Sequence, residues 1–170
     1  MQESYRTFFG FQREPFGSDL QLSEILQTPE IIAVKERFDY ALRIGAAALV
    51  TGEIGSGKST ALRYALGKLH PAEYATLYVT ASSGSILELY RQILSELGID
   101  TASSSRAVLL RLIRREIQEI VIGKKMKAVL IIDEASLLRL DVFSELHTIY
   151  QFHQDSKPYP PSSLQGKIIW

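Results

Sequence analysis

One stretch, Gly52-Glu-Ile-Gly-Ser-Gly-Lys-Ser59, limits what this chain can become more than any other. It matches the pattern G-x-x-x-x-G-K-[ST] at every fixed position. The run before it, Ala46-Ala-Ala-Leu-Val-Thr51, reads as a buried strand. The run after it, Ala61 to Leu69, is apolar at 61, 62, 65, 66 and 69, the spacing of one helix face. Gly52, Gly55 and Gly57 permit backbone conformations that a Cβ would block, so successive N–H groups can converge on an anion. A helix opening near Lys58 adds the positive end of its dipole at the same point. A glycine turn that only joins a strand to a helix is the plainer reading, but it gives no reason for the Lys-Ser pair. The pattern therefore predicts a phosphate-binding loop. Lys58 is placed to reach the β- and γ-phosphates of a nucleotide, and the Ser59 hydroxyl to ligate Mg2+.

Lys127-Ala-Val-Leu-Ile-Ile-Asp-Glu134 is the second landmark. A continuous apolar run is what a parallel strand covered on both faces looks like. Two carboxylates at its C-terminal end stand where open α/β sheets place their ligands. Alone the pattern is weak, because surface strand ends often carry acids. Coupled to the upstream loop it assigns Asp133 to Mg2+ and Glu134 to the water that attacks the γ-phosphate, as a general base.

The segments between these landmarks alternate. Thr28-Pro29-Glu30 signals a helix start, with Thr as N-cap and Pro at the first helical position. Ile31, Val34, Phe38, Ala41 and Leu42 form its apolar stripe, and Gly45 ends it. Thr76 to Thr80 reads as a strand. Ser85-x-x-Glu88 reads as a capping box before a helix carrying Ile86, Leu89, Tyr90, Ile93, Leu94 and Leu97. A third helix carries Val108, Leu109, Leu112, Ile113, Ile117 and Ile120, and another is expected over Leu137 to Tyr150. Strands alternating with helices predict a three-layer α/β/α domain around a mainly parallel sheet. Residues 1–27, with Phe8-Phe-Gly-Phe11 and Pro15-Phe16, are expected to form an aromatic arm pinned to the body by its rings, ahead of a domain over 28–170.

Composition narrows the classes. The 170 residues carry 19 Lys+Arg against 19 Asp+Glu, so no global field draws the chain to nucleic acid or membrane. There is no cysteine, which excludes disulfides and thiolate metal sites. The first residues lack the basic start and apolar core of a signal peptide, and no apolar run approaches a membrane span. A cytoplasmic protein is expected.

The two motifs, with Asp133-Glu-Ala135, resemble those of the AAA+ superfamily of P-loop NTPases. The arm, the early helix and Asp133-Glu-Ala-Ser-Leu137 are similar to the general secretion pathway protein A (ExeA-like) group, close to the transposition helper ATPases of MuB and TniB type. The resemblance covers approximately residues 5–157. It implies an ATPase using ATP and Mg2+. It carries over nucleotide binding to Gly52, Glu53, Ile54, Gly55, Ser56, Gly57, Lys58, Ser59 and Thr60. Metal binding falls on Ser59 and Asp133, and catalysis on Lys58 and Glu134. It also implies self-association, with either a secretion or cell-wall complex, or DNA and a transposase, as partner.

The chain departs from that pattern after residue 150. Relatives continue through a strand ending in a polar sensor residue, an arginine finger and a helical lid. Here Gln154 to Ser163 is polar and proline-rich, and the sequence reads as C-terminally truncated. The usual sheet order, 5-1-4-3-2, places a strand between the loop strand and the Asp-Glu strand. Ile168–Trp170 is expected to fill part of that slot. The alternative is a truncated nucleotide-binding remnant without turnover, since elements that complete the active site are missing.

Two further groups offer less. Arg111, Arg114, Arg115, Lys124 and Lys125 suggest phosphate contact, but Glu116 and Glu119 lie among them, as on an ordinary solvated face. His70, His147 and His153 have no ligand spacing.

Overall fold

The computed structural model describes residues 5–12, 14, 20–82 and 85–146, together with the backbone of 167–169. A short helix α1 (Tyr5–Phe9) is followed by α2 (Pro29–Ile44), α3 (Lys58–Leu66) and strand β1 (Tyr74–Thr80). Then come α4 (Ile86–Glu96), α5 (Arg106–Gln118), β2 (Lys127–Asp133), helical residues 140–146 (α6) and β3 (Lys167–Ile169).

The boundary signals act as the residue types dictate. Thr28 caps α2, its hydroxyl accepting from the Ile31 N–H at 3.4 Å, and Gly45 closes the helix in the left-handed region at φ 72°. At the end of α4, Gly98 takes φ 76° and the Ile99 N–H returns to the Leu94 carbonyl at 2.8 Å. Ser85 stands at the N-cap of α4 but its side chain makes no cap bond, so that half of the expected capping box is not formed. After α5 the backbone widens into a π turn, Glu119–Gly123, which buries both Ile120 and Val121.

The three strands form one parallel sheet in the order β1-β2-β3, with Thr80 beside Asp133 and Val129 beside Lys167. Alternation along β2 feeds two cores. Leu130 and Ile132 pack with Leu77 and Val79 of β1 against α4, α5 and α6, where Tyr90, Leu94, Leu109, Ile113 and Leu146 are fully buried. Val129 and Ile131 pack on the opposite face against Phe38 and Leu42 of α2 and Leu62 and Ala65 of α3. The result is three layers, and it explains why β2 is apolar at successive positions.

Three expectations are corrected. Ala46–Thr51 forms no ladder among the described residues, although Ala48 and Val50 pack against the α2/α3 core. Three successive alanines favour a strand weakly, and β3, at three residues, offers a short edge to pair with. The place beside β2 is taken by Lys167–Ile169, so the expected slot is filled at Ile168 and Ile169, while Trp170 lies outside the described residues. Next, the helix expected from Leu137 begins at residue 140, because Ala135–Leu137 is a 3₁₀ turn; its expected end at Tyr150 lies outside the described residues.

The arm is the third correction. Phe8, Phe9 and Phe11 are 72%, 64% and 43% exposed and pack on one another, with Phe8 and Phe9 edge to face at 4.9 Å. These three rings do not pin it. Docking runs instead through the following segment: Ile25 is buried, Arg63 of α3 donates to the Leu20 carbonyl at 2.7 Å, and Leu22 lies over Gly67. Gly67, lacking a side chain, leaves room for Leu22 against the end of α3, while Phe8, Phe9 and Phe11 contact one another and stay largely in solvent. Pro15 and Phe16 lie outside the described residues.

Candidate nucleotide site

The loop from Gly52 to Gly57 leads directly into α3. Gly55 and Gly57 hold φ 83° and 82°, the left-handed region closed to most side chains. At Gly52 the constraint is space, since a Cβ would stand 2.7 Å from Ser56 Oγ. The Ser56 N–H donates to the Glu53 carbonyl at 3.2 Å, and the Ala61 N–H to the Gly57 carbonyl at 2.8 Å, which starts the helix. Lys58 Nζ folds across the loop to the carbonyls of Gly52 (3.0 Å) and Glu53 (2.7 Å). Glu53, Ile54 and Ser59 are exposed, and Thr60 is half-buried in the first turn.

The loop faces the ligand-binding edge of the sheet for a topological reason. A short connection, residues 67–73, joins the C-terminal end of α3 to the start of β1. The helix therefore runs against the strands, and its N-terminus points toward their C-terminal edge. Asp133 ends β2 at that edge. By alternation its side chain follows Val129 and Ile131 to the face covered by α2 and α3. Ser59 and Asp133 thus belong to one face and one edge.

Both carboxylate oxygens of Asp133 are engaged. Oδ1 accepts from the Glu134 N–H at 2.9 Å, and Oδ2 accepts from the Tyr78 hydroxyl at 2.5 Å, a length typical of a bond to a charged acceptor. Burial foremost, then the bond to Asp133 and the charges of Asp133 and Glu134, push the Tyr78 hydroxyl well above the ordinary tyrosine range, so it stays a donor. Glu134 is exposed and sits at φ 54°, ψ 33°, a left-handed conformation costly for a glutamate. This turn separates the direction of its side chain from that of Asp133. Tyr78 is absent from the sequence-based set. Its signal was a tyrosine on the α3-facing register of β1, two residues before the strand end.

Away from this edge, Arg115 pairs with Glu116 at 2.8 Å, and no group of three potential metal ligands drawn from His, Cys, Asp and Glu occurs among the described residues. His70 caps its own turn, accepting from the Ala72 N–H at 3.3 Å, and His147 and His153 lie outside the described residues. No helix of the described residues is long and apolar enough to cross a membrane.

A glycine loop opening a helix, with a carboxylate strand end on the same face of a parallel sheet, defines the P-loop nucleotide-binding class. The chain belongs to the AAA domain family, whose model matches residues 45–162 and so takes in both the loop and the Asp133-Glu134 strand end. That family is one of AAA-type P-loop ATPases. No curated protein and no solved structure matches the chain.

Proposed function

We propose that the chain binds ATP with Mg2+ through Gly52–Thr60 and Asp133, and hydrolyses it to ADP and phosphate with Glu134 as general base. The observation that supports this reading is a shared face: α3 packs on the side of the sheet to which the Asp133 side chain turns, and strand direction sets the helix N-terminus toward the edge where β2 ends. The donors suit a hard divalent cation, being a hydroxyl and a carboxylate. Each oxygen of Asp133 keeps a lone-pair direction beyond its one hydrogen bond. When bound, Mg2+ supplies positive charge against that of the phosphates. Lys58, released from the Gly52 and Glu53 carbonyls, provides the ammonium for the β- and γ-phosphates. The loop N–H groups orient the phosphate chain, and Glu134 takes the proton of the attacking water.

The work coupled to turnover is proposed to be self-assembly and the building of a secretion-pathway-A-like protein complex. Charge favours a protein partner over DNA, since acidic and basic residues are equal in number and Arg115 is neutralised by Glu116. ATP-dependent binding of duplex DNA that falls steeply with salt would favour the transposition-helper reading instead.

Calorimetry and steady-state phosphate release on the parent, Lys58→Ala and Glu134→Gln test the central claim. The expected pattern is binding and turnover in the parent, lost binding in Lys58→Ala, and binding without turnover in Glu134→Gln. A parent that binds ATP without releasing phosphate refutes the hydrolytic half, and one that binds none refutes the whole.

A further inference from the structure

We propose that Tyr78 is a positioning residue that aims the Asp133 carboxylate at a divalent cation, an inference that rests on the nucleotide-site reading above. The last torsion of an aspartate is broad, so one hydrogen bond leaves the carboxylate plane free to rotate. The Glu134 N–H holds Oδ1 from the residue next in sequence. Tyr78 holds Oδ2 from the neighbouring strand, and only the two together fix the plane. The direction of each remaining lone pair then follows.

The tyrosine is itself held. Its half-buried ring packs against the core formed by Phe38, Leu42, Leu62, Ala65, Val129 and Ile131. Two of these, Leu62 and Ala65, lie on α3, the helix whose first turn carries Ser59. One helix therefore supports both the hydroxyl offered to the cation and the ring that aims the opposing carboxylate. Register contributes as well: Tyr78 lies beside Ile131 and Thr80 beside Asp133, so the hydroxyl reaches along the strand to the carboxylate rather than across. The bland alternative is that Asp133 only satisfies a buried phenol. The two differ in what removing the hydroxyl does to metal affinity.

The test is ATP binding by calorimetry, in EDTA and across a Mg2+ titration, for the parent, Tyr78→Phe, Asp133→Asn and the double variant. Tyr78→Phe is expected to match the parent in EDTA while needing roughly tenfold more Mg2+ to tighten the complex, the low end for a residue that orients a metal ligand. In the Asp133→Asn background the same change is expected to add nothing. An unchanged Mg2+ midpoint overturns the inference alone, and so does an equal shift in both backgrounds. A midpoint at lower Mg2+ overturns it too, showing the hydroxyl competing with the cation. A parent that binds no ATP in either buffer overturns the nucleotide-site reading and this inference with it.

Discussion

The Lys58 ammonium lies 2.7 Å from the Glu53 carbonyl oxygen, so the lysine we propose for phosphate is folded across the backbone of its own loop. These bonds are solvent-exposed and worth at most about 1 kcal/mol to the fold. Lys58→Ala should therefore leave the thermal midpoint within a few degrees while weakening ATP roughly a hundredfold or more, the scale of losing a charge-assisted contact to phosphate. Thermal unfolding beside calorimetry separates the two effects. A large fall in the midpoint would show the lysine to be structural.

Glu134 sits at φ 54°, where asparagine is tolerated better than glutamate. Glu134→Asn should match or exceed the parent in stability, by up to about 1 kcal/mol, and reduce ATP hydrolysis at least about a hundredfold. Denaturant unfolding and phosphate release measured on one preparation check both halves. Loss of stability together with loss of turnover would contradict the account.

Gly67 sits under Leu22, and a Cβ there would stand 2.1 Å from Leu22 Cδ1 and under 3.0 Å from Cδ2 and Cγ. At φ −67° an alanine is otherwise compatible there, and restricting the unfolded chain favours it by about 0.4–1 kcal/mol. Gly67→Ala should nonetheless destabilise by about 1 kcal/mol, because all of Leu22 must move. In a Leu22→Ala background the same change should become stabilising. This reversal of sign, read by chemical denaturation, would establish that residues 20–25 dock on α3.

Tyr90 is fully buried, its hydroxyl 3.4 Å from Glu145, which also pairs with Arg106 at 2.6 Å. Burial first, then the charge of Glu145, push it up to about 12 from an ordinary 10.0. Below pH 10 the folded and unfolded chains both keep the proton, and the contribution is intact. Between about 10 and about 12 the unfolded chain releases it while the native chain holds it, so stability falls as pH rises. Tyr78, raised as well, acts in the same direction. Alkaline unfolding should be shallower in Tyr90→Phe across that window, and an unchanged slope would refute the assignment.

The legible part of this molecule was local. Thr28, Pro29 and Gly45 fix the ends of α2, and Gly98 ends α4, through backbone geometry that neighbouring residues dictate. The unbroken apolar run of β2 announced a strand covered on both faces, and Gly55 and Gly57 announced their own positive φ. Where the reading failed, a long-range competition decided. Ala46–Thr51 has the composition of a buried run, but no ladder partner is supplied to it among the described residues. The Phe8, Phe9 and Phe11 rings have the composition of an anchor, but they pack on each other while Leu22 and Ile25 take the contact with the body.

By itself, then, the sequence determined the phosphate-loop motif, the Asp133-Glu134 strand end and the alternation of helices and strands, because each follows from chemistry within a few neighbouring residues. Only the tertiary structure decided that residues 20–25 dock on α3, and that the Tyr78 hydroxyl donates to Asp133. Those contacts join residues far apart in the chain. Their choice depends on which surfaces remain free once the two cores have closed on either face of the sheet.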